Sequence, residues 1–266
     1  MSVNVALVQL EVSSQEDIAL RTARTLDFIE EAAQRADVVV LPELWHVGAF
    51  DIAAAKLHAE PIDGSLVASM RQSAADNGIW LHAGSFAELD HDANIYNTSV
   101  LIDPNGEVIA IYRKVHLFGF DSGEAAVLTG GSDIVVAETV LGTTGLSTCY
   151  DLRFPELFRM LGEQQATAFI VSSGWPQARL EAWDVLLRAR AIENQCWIFA
   201  CNEIGTQGAV VLGGHSQIVS PQGEVIAKAS NDECIVYASI DPELPAVVRA
   251  EFPVLRDIRI RSSFTN

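Results

Sequence analysis

Residues 146–157 read LSTCYDLRFPEL, and within this stretch a strand of small and apolar residues changes to a charged helix start around Cys149. A cysteine between a strand end and a helix N-terminus lies where backbone N–H groups are exposed and a thiolate is stabilised. The same N–H groups could form part of an oxyanion hole. Free cysteines are more often buried and inert, so this stretch alone leaves both a nucleophile and a core thiol open.

The segments that precede this stretch alternate between strand and helix patterns. Buried-strand patterns cover residues 4–10, 36–44 and 78–86. Apolar residues at helical spacing cover residues 15–35, and residues 64–77 also have a helical pattern. Strand, helix and strand at this spacing predict βαβ units and place the chain in the α/β class.

An internal echo links the two halves of the chain. NGIWLHAGSFAE at 77–88 resembles NQCWIFACNEIG at 194–205, and IDPNGEVIA at 102–110 resembles VSPQGEVIA at 219–227. Both pairs share one offset of 117 residues, from 77 to 194 and from 102 to 219. The Pro-x-Gly pieces are turn chemistry that joins two strands. We predict two pseudo-symmetric halves whose sheets pack on each other; chance reuse of a common hairpin turn is the alternative.

No flexible linker or low-complexity segment interrupts the chain, so we predict a single domain over residues 1–266. The tail, residues 242–266, is rich in arginine and contains Pro245 and Pro253. We expect this tail to be an extension that packs on a neighbour, at an interface between subunits.

Composition limits the classes of function. The 266 residues are 49% apolar, which is enough for a large single core, and the net charge is −18. A surface this acidic repels phosphate backbones and anionic membranes, so nucleic-acid and membrane partners are not expected. The N-terminus lacks a signal-peptide pattern, and no segment approaches about 20 uninterrupted apolar residues. The four cysteines show no C-x-x-C spacing, which predicts reduced thiols and a cytoplasmic protein.

Two charged residues directly follow apolar strand patterns. Glu43, in VVVLPELW, lies where sites form at the C-terminal end of a strand, and desolvation there would make it a stronger base. A surface or helix-capping glutamate is the alternative. Lys114, in IAIYRKVHLFGF, either extends to solvent or holds a positive charge inside a site. None of the six histidines lies in a Cys/His protease signature.

Three segments, LPELW, YRKVHLFG and TCYDLRFPEL, resemble in this order the glutamate, lysine and cysteine motifs of the nitrilase, or carbon–nitrogen hydrolase, superfamily. The resemblance runs over nearly the whole chain and includes SSGWP (172–176), LLRARAIENQ (186–195) and GGHSQIVSPQGEVIAKA (213–229). It implies a four-layer α-β-β-α sandwich of two pseudo-symmetric halves, which agrees with the internal echo.

The resemblance also implies roles for individual residues. Glu43 would be the general base, Lys114 the oxyanion stabiliser and Cys149 the nucleophile. The family has a second glutamate after the lysine motif, and Glu124, in DSGEAAVLTGG, falls at the matching place. Its role would be to orient the substrate amide, with an exposed loop glutamate as the alternative. Gly130 stands where the family usually has a proline, so the resemblance leaves the geometry of this loop open.

The implied activity is that of a cysteine-dependent amidase that hydrolyses small aliphatic amides. An ω-amidase acting on carboxylate-bearing amides, an N-carbamoyl amide hydrolase and a nitrilase are the alternatives. The backbone N–H of Tyr150 would join Lys114 in the oxyanion hole, and Trp175 would form a wall of the acyl pocket or be plain core. An ω-amidase needs a cation for the distal carboxylate, and Arg179 is the nearest candidate, with a solvated helix arginine as its alternative.

No metal-ligand cluster is visible in the sequence, and neither a metal nor an organic cofactor is expected. The resemblance implies a homodimer or larger homo-oligomer that assembles through residues 154–162 and 245–266. A non-catalytic binding module and an acyltransferase belong to other functional classes. The intact glutamate, lysine and cysteine argue against the first, and the sequence does not exclude the second as a side reaction.

Overall fold

Two six-stranded sheets form the centre of the protein. The computed structural model describes residues 2–119 and 123–260. Within these ranges the strands are β1 (Val3–Gln9), β2 (Val38–Val40), β3 (Trp80–Leu89), β4 (Ile95–Ile102), β5 (Val108–Arg113), β6 (Val136–Thr139), β7 (Gly142–Thr148), β8 (Ala168–Ser173), β9 (Trp197–Asn202), β10 (Ile204–Gln207), β11 (Val210–Gly213), β12 (Gln217–Val219), β13 (Val225–Lys228) and β14 (Cys234–Ile240). The α-helices are α1 (Ile18–Ala33), α2 (Ile52–Leu57), α3 (Ser65–Asn77), α4 (Glu124–Val127), α5 (Pro155–Glu163), α6 (Leu180–Asn194) and α7 (Leu244–Glu251).

The two sheets have the same internal order. The first runs β14-β1-β2-β3-β4-β5 and the second, read from its β6 edge, runs β6-β7-β8-β9-β12-β13. In both sheets the second, third and fourth strands are parallel, and the remaining neighbours are antiparallel. The prediction of two pseudo-symmetric halves is therefore confirmed.

Apolar residues on both faces of each sheet explain the four layers. The inner faces of the two sheets pack on each other through Leu7, Val40, Leu146, Ile170 and Phe199. Helices α1 and α3 cover the outer face of the first sheet, and α5 and α6 cover the outer face of the second. Because strands buried on both faces need cover on both sides, the result is the predicted α-β-β-α sandwich.

The two echoing Pro-x-Gly segments, at 102–110 and 219–227, form equivalent hairpins. Gly106 joins β4 to β5 with φ +81°, and Gly223 joins β12 to β13 with φ +83°. A dihedral in this region favours glycine, which explains why both echoing segments keep it. The strand predicted over residues 36–44 is wrong in its last part, because β2 ends at Val40 and the chain leaves the sheet before Pro42, which has no N–H to donate.

The C-terminal tail packs on its own chain as far as it is described. Arg249 of α7 donates to the carbonyl oxygen of Ala166 at 2.6 Å, and Gln195 donates to that of Phe252 at 2.8 Å. Residues 261–266 of the predicted extension lie outside the described residues. A subunit interface at this tail and a single domain over residues 1–266 stay predictions. No helix within residues 2–119 and 123–260 is long and apolar enough to cross a membrane.

Gly84 of β3 lies against the backbone of Pro42, the residue just before Glu43, and a substitution there tests whether this close approach is needed. Its φ is +66°, and a Cβ there would lie 2.0 Å from the carbonyl oxygen of Pro42. We expect Gly84→Ala to lower the free energy of unfolding by about 3 kcal/mol or more in urea denaturation. Gly78→Ala is the matched control, because Gly78 also has a positive φ but has nothing within 4 Å of the added Cβ. It should lose only about 1 kcal/mol; equal losses would contradict the steric argument.

Candidate active site

Glu43 lies in the loop after β2, and its carboxylate is held by three donors from three other parts of the fold. The side chain is buried. Oε1 accepts from Lys114 Nζ at 2.7 Å and from Asn97 Nδ2 at 2.9 Å, and Oε2 accepts from the backbone N–H of Gly174 at 2.8 Å. These contacts hold the carboxylate in one orientation. A general base needs such a fixed orientation, because the proton that it accepts comes from one direction.

Lys114 directly follows β5 and carries the positive charge of the site. Its side chain is 1% exposed, and Nζ lies 2.7 Å from Glu43 Oε1 and 2.7 Å from Glu124 Oε2. Burial alone would lower the pKa of Lys114, but the two carboxylates raise it well above its ordinary value. The amine is therefore a fixed cation at neutral pH.

Glu124 begins α4 and completes the buried cluster. Oε2 accepts from Lys114 and from the backbone N–H of Phe118 at 2.9 Å, and Oε1 accepts from Asn97 at 2.8 Å. Burial raises the pKa of Glu124, the charge of Lys114 opposes that rise, and the charge of Glu43 adds to it. Asn97 thus bridges the two carboxylates, and one amine is shared between them.

Cys149 directly follows β7 and is the first residue of a 3₁₀ helix over Cys149–Arg153. Its backbone has φ +45°, a strained value for a residue with a side chain. Cys149 lines the same pocket as Glu43 and Lys114. Burial and the charge of Glu43 raise the pKa of the thiol well above its ordinary value, although Lys114 acts in the opposite direction. The expectation of a stabilised thiolate is wrong, because the thiol is buried beside a carboxylate and Lys114 is shared by two glutamates.

Asp151 locks the turn that carries the cysteine to the strand end that carries Lys114. The carboxylate is fully buried and accepts from the Tyr112 hydroxyl at 2.6 Å and from the Thr148 backbone N–H at 2.9 Å. It also contacts Nδ1 of His116 at 2.7 Å and accepts from the His116 backbone N–H at 3.0 Å. Tyr112 and His116 stand two residues to either side of Lys114, so this network fixes the amine relative to the thiol.

The pocket is small and has an aromatic wall. It encloses about 370 Å³ between atoms, including its opening to solvent. It is lined by Glu43, Ala49, Phe50, Lys114, Phe118, Glu124, Cys149, Tyr150, Arg153, Gly174, Trp175, Pro176 and Arg179. The structure therefore brings all six sequence-predicted site residues to one pocket.

Trp175 and Tyr150 form two sides of this pocket. Trp175 is 2% exposed, and its indole Nε1 donates to the backbone oxygen of Arg179 at 2.8 Å. Its backbone N–H donates to Asn202 Oδ1 at 2.6 Å. The Tyr150 ring meets the Phe118 ring edge-on, with 5.3 Å between the ring centroids. Trp175 is thus both pocket wall and core, so the two sequence interpretations were not exclusive.

Three residues of the site, Asn97, Gly174 and Arg153, were missed by the sequence analysis. Asn97 lies in the middle of β4 and is fully buried, and Gly174 contributes only its backbone N–H. Arg153 lines the pocket mouth, four residues after the cysteine. Asn97 stands in β4 with two further polar residues, Thr98 and Ser99, so the sequence does not distinguish it from its neighbours. No side-chain signal exists for Gly174.

The site holds no candidate metal centre in the part of the chain that the structure describes, since no group of three or more His, Cys, Asp or Glu residues there could bind an ion. The site combines a buried thiol with a carboxylate and a cation that are both held in place. This combination is typical of a thiol-dependent enzyme that cleaves carbon–nitrogen bonds. The chain belongs to the carbon–nitrogen hydrolase family, whose model matches residues 4–250.

Similar proteins are amidases and nitrilase-superfamily members. A 2-oxoglutaramate amidase of Paenarthrobacter nicotinovorans is 38% identical over 263 residues, which cover 96% of this chain and 89% of the relative. An omega-amidase of Homo sapiens is 33% identical over 267 residues, covering 97% and 95%. A nitrilase-superfamily structure from Saccharomyces cerevisiae has a TM-score of 0.87 at 32% identity and covers 95% of each chain. This protein is a hydrolase that acts on carbon–nitrogen bonds other than peptide bonds.

Asp151→Asn tests the network that locks the cysteine turn. An amide offers one acceptor oxygen where the carboxylate uses both, so at least one buried donor loses its partner. We expect the free energy of unfolding to fall by about 2–3 kcal/mol in urea denaturation. Glu30→Gln, an exposed acid within α1, is the control and should leave stability unchanged. Wild-type stability in the Asp151 variant would rule out this locking role.

Proposed function

We propose that this protein is an ω-amidase, which hydrolyses the terminal amide of a short substrate that carries a carboxylate at its other end. A compound of the 2-oxoglutaramate type is the model substrate. The observation that carries the proposal is the presence of two arginines, Arg153 and Arg179, in the same small pocket as Cys149. The activities for which the relatives are named also favour this alternative over small uncharged amides.

Both arginines are placed to receive an anion. The Arg153 guanidinium lies 4.8 Å from the centre of the Trp175 ring, and that of Arg179 lies 5.5 Å from the centre of the Phe118 ring. Neither forms an ion pair with a carboxylate within residues 2–119 and 123–260. A guanidinium can bind a carboxylate through two parallel hydrogen bonds. In a protein with a net charge of −18, an anionic substrate needs such a local positive site.

The proposed reaction begins at Cys149. Its Sγ attacks the amide carbon while Glu43 takes the thiol proton, which fits a thiol that is protonated at rest. Lys114 Nζ and the backbone N–H of Tyr150 stabilise the tetrahedral oxyanion. Glu43 then gives the proton to the amide nitrogen, ammonia leaves, and a thioester remains on Cys149. No metal or organic cofactor takes part.

Water completes the cycle. Glu43 takes a proton from the water molecule that attacks the thioester carbon, and the same two donors stabilise the second oxyanion. Collapse releases the carboxylic acid, and the proton held by Glu43 returns to the Cys149 sulfur. Glu124 holds Lys114 and would orient the departing amide nitrogen, while Trp175 limits the length of the acyl chain.

We also propose that the active form is a homodimer or larger homo-oligomer. Along the tail, Val247 is 47%, Phe252 69% and Ile260 93% exposed, although all are large and apolar. These side chains belong to the 245–266 segment for which the family resemblance implies a subunit contact.

Cys149→Ala tests the nucleophile. We expect ammonia release to fall by a factor of roughly 10⁵ or more, because no other group in the pocket can form the thioester. The variant should fold, since the substitution removes only one sulfur atom. Cys234→Ala is the control, because Cys234 lies outside the pocket, and it should keep wild-type activity. Retention of a tenth of the activity in the Cys149 variant would exclude the assigned role.

A matched substrate pair tests the ω-amidase proposal. Glutaramate and pentanamide have the same chain length and the same amide, but only glutaramate carries a distal carboxylate. We expect kcat/KM, measured by ammonia release, to be about 100-fold higher for glutaramate, as charge-assisted hydrogen bonds to an arginine allow. A preference for pentanamide would indicate a small aliphatic amidase. Faster turnover of N-carbamoyl compounds or of nitriles than of both amides would indicate an N-carbamoyl amide hydrolase or a nitrilase.

Arginine substitutions locate the carboxylate site. Arg153→Gln and Arg179→Gln should each raise KM for glutaramate about tenfold or more and leave pentanamide turnover unchanged. Arg35→Gln, an exposed arginine outside the pocket, is the control and should change neither. If neither pocket variant alters KM for glutaramate, these arginines do not bind the substrate carboxylate.

A further inference from the structure

A third carboxyl group, Glu203, is buried behind the site and is not used by the proposed reaction. It stands between β9 and β10 and has no exposed surface. Oε2 accepts from Gln207 Nε2 at 3.1 Å, and Oε1 has no hydrogen-bond partner within the described residues. A buried charge without a partner is strongly unfavourable, so the state of this group needs an explanation.

Glu203 lies close to the proposed base. A Cβ built on Gly174 would be 3.3 Å from Glu203 Oε2 and 3.5 Å from Glu43 Oε2, so the two carboxyl groups flank one glycine. The backbone N–H of that glycine donates to the same Glu43 oxygen. A negative charge on Glu203 would therefore act directly on Glu43.

The surrounding charges leave Glu203 without a counterion. Lys114 is occupied by Glu43 and Glu124 and forms no ion pair with Glu203. Arg21 of α1 and the Cys201 thiol of β9 are the other titratable groups that interact with it. Burial and the charge of Glu43 raise the pKa of Glu203 well above its ordinary value, and the hydrogen bond from Gln207 and the charge of Arg21 act against that rise without cancelling it.

Gln207 connects Glu203 to the pocket wall. The backbone N–H of Phe50 donates to Gln207 Oε1 at 2.8 Å, and Phe50 lines the pocket. A backbone N–H can only donate, so this contact fixes the orientation of the Gln207 amide and directs Nε2 towards Glu203. Glu203 Oε2 supplies the acceptor for this amide, so the contact fixes the position of the carboxyl group, while its burial without a counterion favours the uncharged form.

We propose that Glu203 is a positioning residue that works as an uncharged carboxylic acid: it holds Gln207, and through it the Phe50 wall, while leaving Glu43 the only carboxylate beside Gly174. Its effect on turnover rests on the proposed amidase reaction, but its uncharged state does not. Stability measurements can therefore decide the second point even if the proposed substrate is wrong.

Thermal unfolding of wild type and Glu203→Gln against pH tests the uncharged state. A carboxyl group whose pKa is higher in the folded protein than its ordinary value of 4.5 weakens folding progressively as pH rises above that value. Glutamine has no proton to lose, so the Tm of the variant should rise relative to wild type between about pH 5 and about pH 8. Glu30→Gln, an exposed glutamate on α1, is the control and should show a constant difference. A constant difference at Glu203 would overturn the proposal.

Kinetics test the positioning role. Glu203→Gln keeps an acceptor for Gln207, so its kcat/KM at neutral pH should stay within about threefold of wild type. The alkaline limb of its pH profile should move upward by about one unit, because ionisation next to Glu43 is removed. Glu203→Leu removes the acceptor and should raise KM about tenfold with a smaller change in kcat.

Two kinetic outcomes would contradict the proposal. An unchanged KM in Glu203→Leu would make Glu203 a packing residue. A loss of 100-fold or more in Glu203→Gln would mean that the carboxylate form is needed. If the leucine variant does not fold, the glutamine variant still decides the question, because its activity and its alkaline limb must both behave as stated.

Discussion

The ion pairs from Lys114 to Glu43 and Glu124 are the constraint on which the rest of the site depends. The three side chains are each at most 5% exposed, and both carboxylates lie 2.7 Å from the Lys114 amine. Such a cluster is tolerated in a protein interior only when every partner is in place, because a lone buried charge is far less stable than a solvated one. The same requirement that keeps the cluster intact also holds Glu43 and Lys114 in the positions that the proposed reaction needs.

The pseudo-symmetric fold explains how distant segments meet at this cluster. Glu43 follows β2 and Gly174 follows β8, and these are the equivalent strands of the two sheets. Ligand sites in α/β proteins lie outside the carboxyl ends of parallel strands, and here two such ends face each other. The Asp151 network then adds a third link, between the turn after β7 and the end of β5.

Much of this arrangement could be predicted from the residues, and the limits have physical causes. The repeated turn at Gly106 and Gly223 predicted the two halves, and the polar ends of apolar strands pointed to Glu43 and Lys114. The state of the Cys149 thiol could not be predicted, because its pKa depends on charges that only folding brings near. Asn97 and Glu203 were missed for a related reason: a polar residue within a strand or between two strands has the same local pattern whether it faces solvent or a buried partner.

Because the site is divided between the two sheets, its geometry depends on how the two halves pack against each other. One half supplies Glu43 and Lys114, and the other supplies Cys149 and the backbone donor of Gly174. Neither half contains all four of these groups. A small slip of one sheet against the other would separate Cys149 from Glu43 while each sheet kept its own hydrogen bonds. In the proposed reaction, catalysis is thus coupled to the apolar contact between the two sheets.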